Sequence, residues 1–199
     1  MDLWEIEREL HSDGYTLVCG VDEAGRGPLA GPVFAAAVIL PSDVDIAGLN
    51  DSKKLSEKTR EILYDQIISK AVAYGVASAD HEEIDSLNIL NATFLAMNRA
   101  VRKLSCKPDF ALVDGNRDKG LEFRCKCIVG GDGKSACIAA ASILAKVSRD
   151  RVMVDMAKLY PLYGFEKHKG YGTKLHFEKL REYGPSEIHR KTFLRKLKK

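Results

Sequence analysis

The alternation of strand-like and helical segments constrains the fold of this 199-residue chain more than any other feature. Residues 33–40 form a continuous apolar run, which is typical of a buried strand. Apolar residues at helical spacing follow over 56–70 and over 90–104. This alternation predicts an α/β fold with a central sheet. Further strands are predicted at 16–21, 72–76, 110–113 and 125–129, and further helices at 4–11, 135–159, 174–183 and 186–197.

The charge of the chain is unevenly distributed. Residues 166–199 contain 11 Lys or Arg and 4 Asp or Glu, whereas residues 1–165 contain 20 basic and 24 acidic side chains. We expect one domain over 1–199, with an α/β core over about 1–160 and a basic helical lobe over about 161–199. A basic lobe favours nucleic acid as a partner, although a solvated C-terminal helix would give the same charges.

The chain has no segment that predicts a membrane span or an export signal. Its longest apolar stretches, 33–40 and 137–145, are too short to cross a bilayer. The N-terminal residues are charged and lack an apolar core, so we expect no signal peptide and a cytoplasmic protein. Five cysteines, an odd number, argue against a disulfide framework.

Acidic residues close three of the predicted strands. Asp22 and Glu23 follow the first, Asp114 follows the fourth, and Asp132 follows the fifth after two glycines. If these strands are neighbours, four carboxylates converge on one edge of the sheet, where α/β folds commonly bind ligands. Converging carboxylates repel one another unless a cation neutralises them, and Mg²⁺ prefers oxygen ligands. Two such ions can hydrolyse a phosphodiester without a Ser or His nucleophile.

Each acid also has a simpler interpretation. Asp114 and Asp132 both precede glycine, and Asp-Gly is common in turns. The adjacent pair Asp22 and Glu23 is not a turn preference. Successive side chains on a strand point to opposite faces, so both reach one site only if the strand ends or bends there. Gly25 and Gly27 permit that bend.

Five further residues are candidates for substrate contacts. Gly25-Arg26-Gly27 is a turn that could approach a nucleic-acid backbone and donate to phosphate or a ribose hydroxyl, although a plain tight turn would have the same sequence. Lys53 lies in a loop where it could contact phosphate or remain solvated. Tyr171 stands between two glycines, and an exposed ring there could stack on a base or sugar.

Seven segments of the chain resemble, in order, the motifs of the type 2 ribonucleases H. They span nearly the whole chain, which makes the resemblance highly specific. The segments are 20–28 (GVDEAGRGP), 51–55 (DSKKL), 113–115 (VDG), 131–135 (GDGKS), 139–147 (AAASILAKV), 168–173 (HKGYGT) and 189–190 (HR).

The resemblance implies a ribonuclease H-like fold, in which helices flank a central mixed β-sheet beside a small C-terminal helical lobe. It implies two bound Mg²⁺ or Mn²⁺ ions, with Asp22, Glu23, Asp114 and Asp132 as the catalytic, metal-binding acids. Gly25, Arg26 and Gly27 match the segment that recognises the ribose 2′-hydroxyl at an RNA-to-DNA junction. Tyr171 matches the tyrosine that packs on the sugar there, and we assign phosphate contacts to Lys53.

The activity that the resemblance implies is cleavage of RNA in RNA–DNA hybrids and incision 5′ of a ribonucleotide embedded in duplex DNA. Only 21 residues precede Asp22, which favours the HII type over the HIII type, and the GDGKS segment resembles bacterial members. Gly133 departs from the family, where Ala or Ser is commoner. We expect a monomer with no obligate protein partner.

Three alternatives remain open from the residues alone. A metal-dependent nuclease or phosphatase of other substrate range would cleave all-DNA duplex or small phosphoesters as readily. A non-catalytic hybrid-binding module would bind and never cut, but it would gain nothing from carboxylates facing phosphate. A zinc-stapled protein could use Cys125 and Cys127, although the pair has unusual spacing and no matching second pair.

Overall fold

Five strands form a single mixed sheet. The computed structural model describes residues 2–42, 44–50, 52 and 55–195. The strands are β1 (Val18–Ala24), β2 (Val33–Ile39), β3 (Ala73–Ala79), β4 (Phe110–Asp114) and β5 (Cys125–Ile128). Their order across the sheet is β3-β2-β1-β4-β5. The β1–β4 and β4–β5 pairs are parallel, and the other two are antiparallel.

Helices cover both faces of this sheet. They are α1 (Glu5–Ser12), α2 (Glu57–Lys70), α3 (His81–Leu87), α4 (Ile89–Arg102), α5 (Ala136–Leu159), α6 (Phe165–His168), α7 (Lys174–Tyr183) and α8 (Lys191–Arg195). The predicted α/β class is therefore confirmed. None of the helices in the described ranges is long and apolar enough to cross a bilayer.

Strand β1 lies between the two helical layers. Its residues Cys19 and Val21 belong to the core cluster that α4 completes. Gly20 faces α5, where a Cβ would overlap the main chain of Cys137. The missing side chain thus lets α5 pack directly on the centre of the sheet. Because α5 also runs on towards the basic lobe, it joins the sheet to the C-terminal part of the chain.

The N-terminus of α5 is held by a buried acid from α1. Ser135 caps the helix and donates a hydrogen bond of 2.6 Å to Oε1 of Glu7. The amide of Cys137 donates to the same oxygen at 3.0 Å. The first amides of a helix have no partner within it, so Glu7 satisfies one of them and fixes the start of α5.

Two predicted boundaries were wrong. The first strand does not end at Asp22 and Glu23, because antiparallel pairing with β2 continues through both residues to Ala24. The helix predicted over 186–197 begins only at Lys191. Residues 188–190 are held in a non-helical conformation by main-chain bonds to residues 29 and 31, each of 2.9 Å. The short helix α6 was not predicted.

Candidate active site

Asp22 and Asp114 follow the last paired residues of two neighbouring parallel strands. The parallel register ends at Val21 opposite Val113, so the two acids occupy the next positions. Asp22 is 4% exposed. Its burial and the nearby charges of Glu23 and Asp114 raise the pKa of the Asp22 carboxyl well above its usual value. The charges of Glu23 and Asp114 therefore repel the carboxylate of Asp22, which is itself shielded from water.

Asp22 and Glu23 face opposite sides of the sheet. Ser142 of α5 hydrogen-bonds to the Asp22 side chain, which places that carboxylate on the α5 face. Glu23 lines a cleft of about 300 Å³ together with Asp114 and side chains of α4. The predicted bend at the acid pair is absent. Both acids nevertheless lie beyond the last β1–β4 pair, where their carboxylates are close enough for the charge of Glu23 to raise the pKa of Asp22.

Asp132 lies in a tight turn that is tied to the end of β4. The turn is a single 3₁₀ turn, Gly131–Gly133, between β5 and α5, and Asp132 is buried within it. The amide of Gly131 donates a hydrogen bond of 2.7 Å to Oδ1 of Asp114. The predicted proximity of these strand ends is confirmed, since β1, β4 and β5 are adjacent in the sheet.

The carboxylate oxygens of these acids are the kind of ligand that a hard divalent cation such as Mg²⁺ prefers. Among the residues that the structure describes, no three Asp, Glu, His or Cys side chains surround a common point closely enough to hold one ion. Mg²⁺ does not require three, because waters and substrate phosphate usually complete a shell begun by one or two carboxylates. The crowding around Asp22 is a repulsion that a neighbouring cation would relieve. The donors available are Asp22, Glu23, Asp114 and Asp132.

Two serines connect Asp22 to the segment around residue 52. The hydroxyls of Ser142 and Ser52 lie 2.6 Å apart, and both residues are buried. Ser142 in turn contacts Asp22, where its hydrogen bond favours the ionised carboxylate. The predicted phosphate contact Lys53 lies outside the described residues, but its neighbour Ser52 belongs to this chain of hydrogen bonds.

The turn at Gly25, Arg26 and Gly27 is held from below by Arg190. This guanidinium, fully buried, donates to the carbonyl oxygens of Gly25 at 2.7 Å, Arg26 at 2.9 Å and Gly31 at 2.9 Å. In a trans peptide the N–H points opposite to the C=O. The amides of Arg26 and Gly27 therefore point away from Arg190, and within the described ranges neither donates to another protein group.

Arg26 itself contacts the acid pair. Its Nη1 donates to Oε1 of Glu23 at 3.2 Å, and its side chain is half exposed. The glycine before it is sterically required: Gly25 has φ +95°, and a Cβ there would overlap the guanidinium of Arg149. The turn is thus fixed between two buried arginines, with Arg26 reaching out towards the cleft.

Tyr171 stands beside this turn. A Cβ built on Gly27 would lie 3.7 Å from Cε1 of the Tyr171 ring. Tyr171 is 41% exposed. The guanidinium carbon of Arg149 is 5.6 Å from the ring centroid, within range for a cation–π contact. The structure brings together the predicted residues Gly25, Gly27 and Tyr171, which are far apart in sequence.

Sequence reasoning assigned no role to three residues that hold this site, although two of them lie in segments that resemble the family. They are Ser142 beside Asp22, and the buried arginines Arg149 and Arg190 beneath the turn. An arginine in the apolar stretch of α5 was the one available signal for Arg149. No local pattern shows that a guanidinium is buried against carbonyl oxygens supplied by a segment more than a hundred residues away.

Comparisons with known proteins agree with this architecture. The ribonuclease HII family matches residues 19–196. The chain is 60% identical to the ribonuclease HII of Endomicrobium trichonymphae over 193 residues, which cover 96% of this chain and 92% of that protein.

Solved structures give the same result. The ribonuclease H2 of Pyrococcus horikoshii OT3 is 29% identical with a TM-score of 0.73, covering 89% of this chain and 93% of that one. The Mn²⁺ complex of Bst-RNase HIII shares the fold at 21% identity, with a TM-score of 0.71, over 87% of this chain and 65% of that one.

The family match covers most of the chain, and the mixed sheet carries acids where its parallel strands end. The chain belongs to the ribonuclease HII family and is a ribonuclease H, a divalent-metal-dependent hydrolase that acts on RNA–DNA hybrids.

Proposed function

We propose that this enzyme also incises duplex DNA on the 5′ side of a single embedded ribonucleotide, by a mechanism that uses two divalent ions. The crowding of Asp22 by Glu23 and Asp114 carries this proposal. Asp22 and Glu23 lie shortly before a turn whose amides face outward, and that turn lies beside an exposed tyrosine ring. A phosphodiester next to a ribose would meet all of these groups at once.

The proposed catalytic residues are Asp22, Glu23, Asp114 and Asp132, which would hold Mg²⁺ or Mn²⁺. When bound, two such ions would activate the attacking water and stabilise the departing 3′-oxygen. Asp22 would have to be ionised in that state. The amide of Glu23, which donates to its Oδ1 at 2.6 Å, and the hydroxyl of Ser142 both favour the anion. The P–O3′ bond breaks, leaving a 5′-phosphate and a 3′-hydroxyl.

Selection for ribose would come from the turn and from Tyr171. The amides of Arg26 and Gly27, already oriented by Arg190, are donors for a 2′-hydroxyl that DNA lacks. The ring of Tyr171 would pack on the adjoining sugar. Because Arg190 fixes the turn before substrate binds, little conformational entropy is lost on recognition.

Affinity for the duplex would be largely independent of sequence. The basic lobe, together with Lys53 and Arg26, would contact phosphates, so binding should weaken as salt concentration rises. Nη1 of Arg26 donates to Glu23, and the half-exposed guanidinium would still be accessible to a phosphate. We further propose that the enzyme acts as a cytoplasmic monomer with no obligate protein partner.

A gel assay on three 5′-labelled duplexes tests the proposed substrate range: all-DNA, RNA–DNA hybrid, and DNA with one ribonucleotide. Each is incubated with EDTA, Mg²⁺ or Mn²⁺. We expect metal-dependent cutting of both ribose-containing duplexes, with product ends that a polymerase can extend, and an intact all-DNA duplex. Cutting of the hybrid alone would refute ribonucleotide incision, and cutting of all-DNA would refute ribose selection.

A further inference from the structure

Three buried histidines form one cluster behind Tyr171. The rings of His168 and His176 stack with centroids 4.4 Å apart. Nε2 of His176 lies 3.0 Å from Nε2 of His189. All three side chains are buried, at 8% exposure or less. The histidines come from α6, from α7 and from the segment before α8, so the cluster joins the separate parts of the C-terminal lobe.

The hydrogen bonds fix where each proton sits. The amide of Ser186 donates to Nδ1 of His189 at 2.9 Å, so that nitrogen carries no proton and the neutral ring is protonated at Nε2. His189 then donates from Nε2 to Nε2 of His176. The remaining proton of His176 is on Nδ1, which donates to the carbonyl oxygen of Tyr171 at 2.9 Å. Both rings are fully paired as neutral imidazoles.

The hydrogen bonds of His168 likewise assign its ring a single neutral tautomer. The amide of Gly170 donates to its Nδ1 at 3.2 Å, and its Nε2 donates to the carbonyl oxygen of Tyr163 at 2.9 Å. The carbonyl oxygen of His168 accepts from the amide of Tyr171 at 2.9 Å. The main chain of Tyr171 is therefore held at its N–H by His168, and at its C=O by His176 together with the amide of Thr173, which donates at 2.8 Å.

A charged ring does not fit this arrangement. A proton added to Nε2 of His176 would face the N–H of His189. One added to Nδ1 of His189 would face the amide N–H of Ser186 and would require the Ser186 hydroxyl, 2.8 Å away, to accept instead of donate. Burial lowers the pKa of all three histidines, that of His189 to about 4 with a further contribution from His176. The other titratable or charged groups near the cluster are Tyr163, Glu166, Lys169 and His81.

We propose that His189 and His176 are positioning residues for Tyr171, and that as a neutral hydrogen-bonded pair they hold its ring beside the Gly25–Gly27 turn. This inference rests on the proposed role of Tyr171 at the sugar. It also predicts a direction for pH. Acidification that protonates either ring breaks the pair and loosens Tyr171, which weakens recognition of ribose before the lobe unfolds.

Nitrogen-15 NMR of the histidine rings in the full-length protein, without metal or substrate, tests the pair independently of activity. At pH 7 we expect His176 to be protonated at Nδ1 alone, and His168 and His189 at Nε2 alone. His189, whose pKa burial lowers to about 4, should remain neutral at pH 5.5, where a solvent-exposed histidine is mostly charged. A charged ring at pH 7, or a proton on Nδ1 of His189, would overturn the proposal.

Steady-state cleavage of the single-ribonucleotide duplex tests positioning. We expect His176→Phe to raise KM at least fivefold with kcat within twofold, and His176→Asn, whose amide can reach the Tyr171 carbonyl, to recover most of the loss. His189→Gln keeps a donor towards His176 and provides a second test if His176→Phe folds poorly. The control is His11→Phe, because His11, which lies on α1, makes a similar 2.8 Å contact with the carbonyl oxygen of Tyr15.

The same assay in a Tyr171→Ala background separates positioning from general stability. If the histidines act through Tyr171, His176→Phe should change KM less than twofold there. An undiminished effect in that background would contradict the proposal. If the wild-type enzyme does not cut the single-ribonucleotide duplex, the proposed function fails, whereas the NMR result still decides whether the neutral pair exists.

Discussion

The amide of Gly131 donates a 2.7 Å hydrogen bond to Oδ1 of Asp114, which joins the turn containing Asp132 to the end of β4. Two acids 18 residues apart in sequence are thereby connected through the main chain without any ion. Asp22 and Glu23 are placed by β1, the neighbour of β4. The scaffold therefore positions its carboxylates by backbone hydrogen bonds, before metal or substrate is present.

Replacing Gly25 by alanine should destabilise the protein, whereas replacing Gly27 by alanine should leave its stability nearly unchanged. Gly25→Ala places a Cβ on the guanidinium of Arg149 and requires φ +95°, so we expect a loss of about 1–3 kcal/mol in unfolding free energy and a severe loss of cleavage. Among the described residues, the nearest neighbour of a Cβ at Gly27 is Tyr171 at an ordinary 3.7 Å, so Gly27→Ala should fold normally. Urea unfolding of both variants checks this; equal stabilities would show that Arg149 does not restrict the turn.

Arg190→Met should destabilise the protein and weaken selection for ribose together. The substitution leaves three buried carbonyl oxygens without a donor, and we expect a cost of about 2–4 kcal/mol in unfolding free energy. Arg190→Lys keeps the charge but not the planar set of donors, so it should recover only part of the loss. The denaturant midpoint of each variant measures the loss of stability, and KM for the RNA–DNA hybrid measures the loss of recognition. Full recovery by lysine would show that charge alone suffices.

Asp22→Asn should stabilise the metal-free protein while abolishing catalysis. The folded pKa of Asp22 is raised, so the folded state binds more protons than the unfolded state above about pH 4, and stability from this group is lost as pH rises. The variant should be more stable at pH 7, by about 0.5–2 kcal/mol, and equal to wild type below pH 4.

Thermal unfolding over a pH series measures this difference, and Mn²⁺ provides the control. Added Mn²⁺ should raise the Tm of the wild-type enzyme, because it binds only the folded state, and it should affect the variant much less. A variant less stable than wild type at pH 7 would show that the Asp22 carboxylate contributes favourable bonds that outweigh its crowding.

Gly133→Ala should be tolerated. Within the part of the chain that the structure describes, no heavy atom outside the adjoining residues lies within 4 Å of a Cβ at this position, and its backbone is not in the left-handed region. Alanine reduces the freedom of the unfolded chain, so we expect a gain of about 0.4–1 kcal/mol with cleavage within twofold of wild type. A thermal melt and a hybrid cleavage assay are sufficient. A tenfold loss of activity would mean that Asp132 needs a looser turn than the structure shows.

The sequence predicted the helices and strands well where the pattern was strong: helical spacing for α4, an Ala-rich helical pattern for α5 and a continuous apolar run for β2. It placed the acids at neighbouring strand ends on the condition that these strands are adjacent, and the structure meets that condition. It failed where a distant segment decides the conformation. Residues 188–190 pair with residues 29–31, and β2 extends the pairing of β1 through Asp22 and Glu23. Such long-range pairing leaves no local pattern, and neither does the burial of Arg190.

Cleavage of a labelled RNA–DNA hybrid by Asp114→Asn, measured beside hybrid binding by the same protein, tests the central claim most directly. The substitution removes one carboxylate charge but keeps an oxygen that can accept from Gly131. We expect cleavage in Mg²⁺ to fall more than about a hundredfold, since even outer-shell partners of a metal often contribute 10- to 100-fold. Hybrid binding should change less than about threefold, because phosphate contacts from other residues supply most of the affinity. Cleavage by Asp114→Asn at a near-normal rate would contradict the assignment of these acids as the catalytic site.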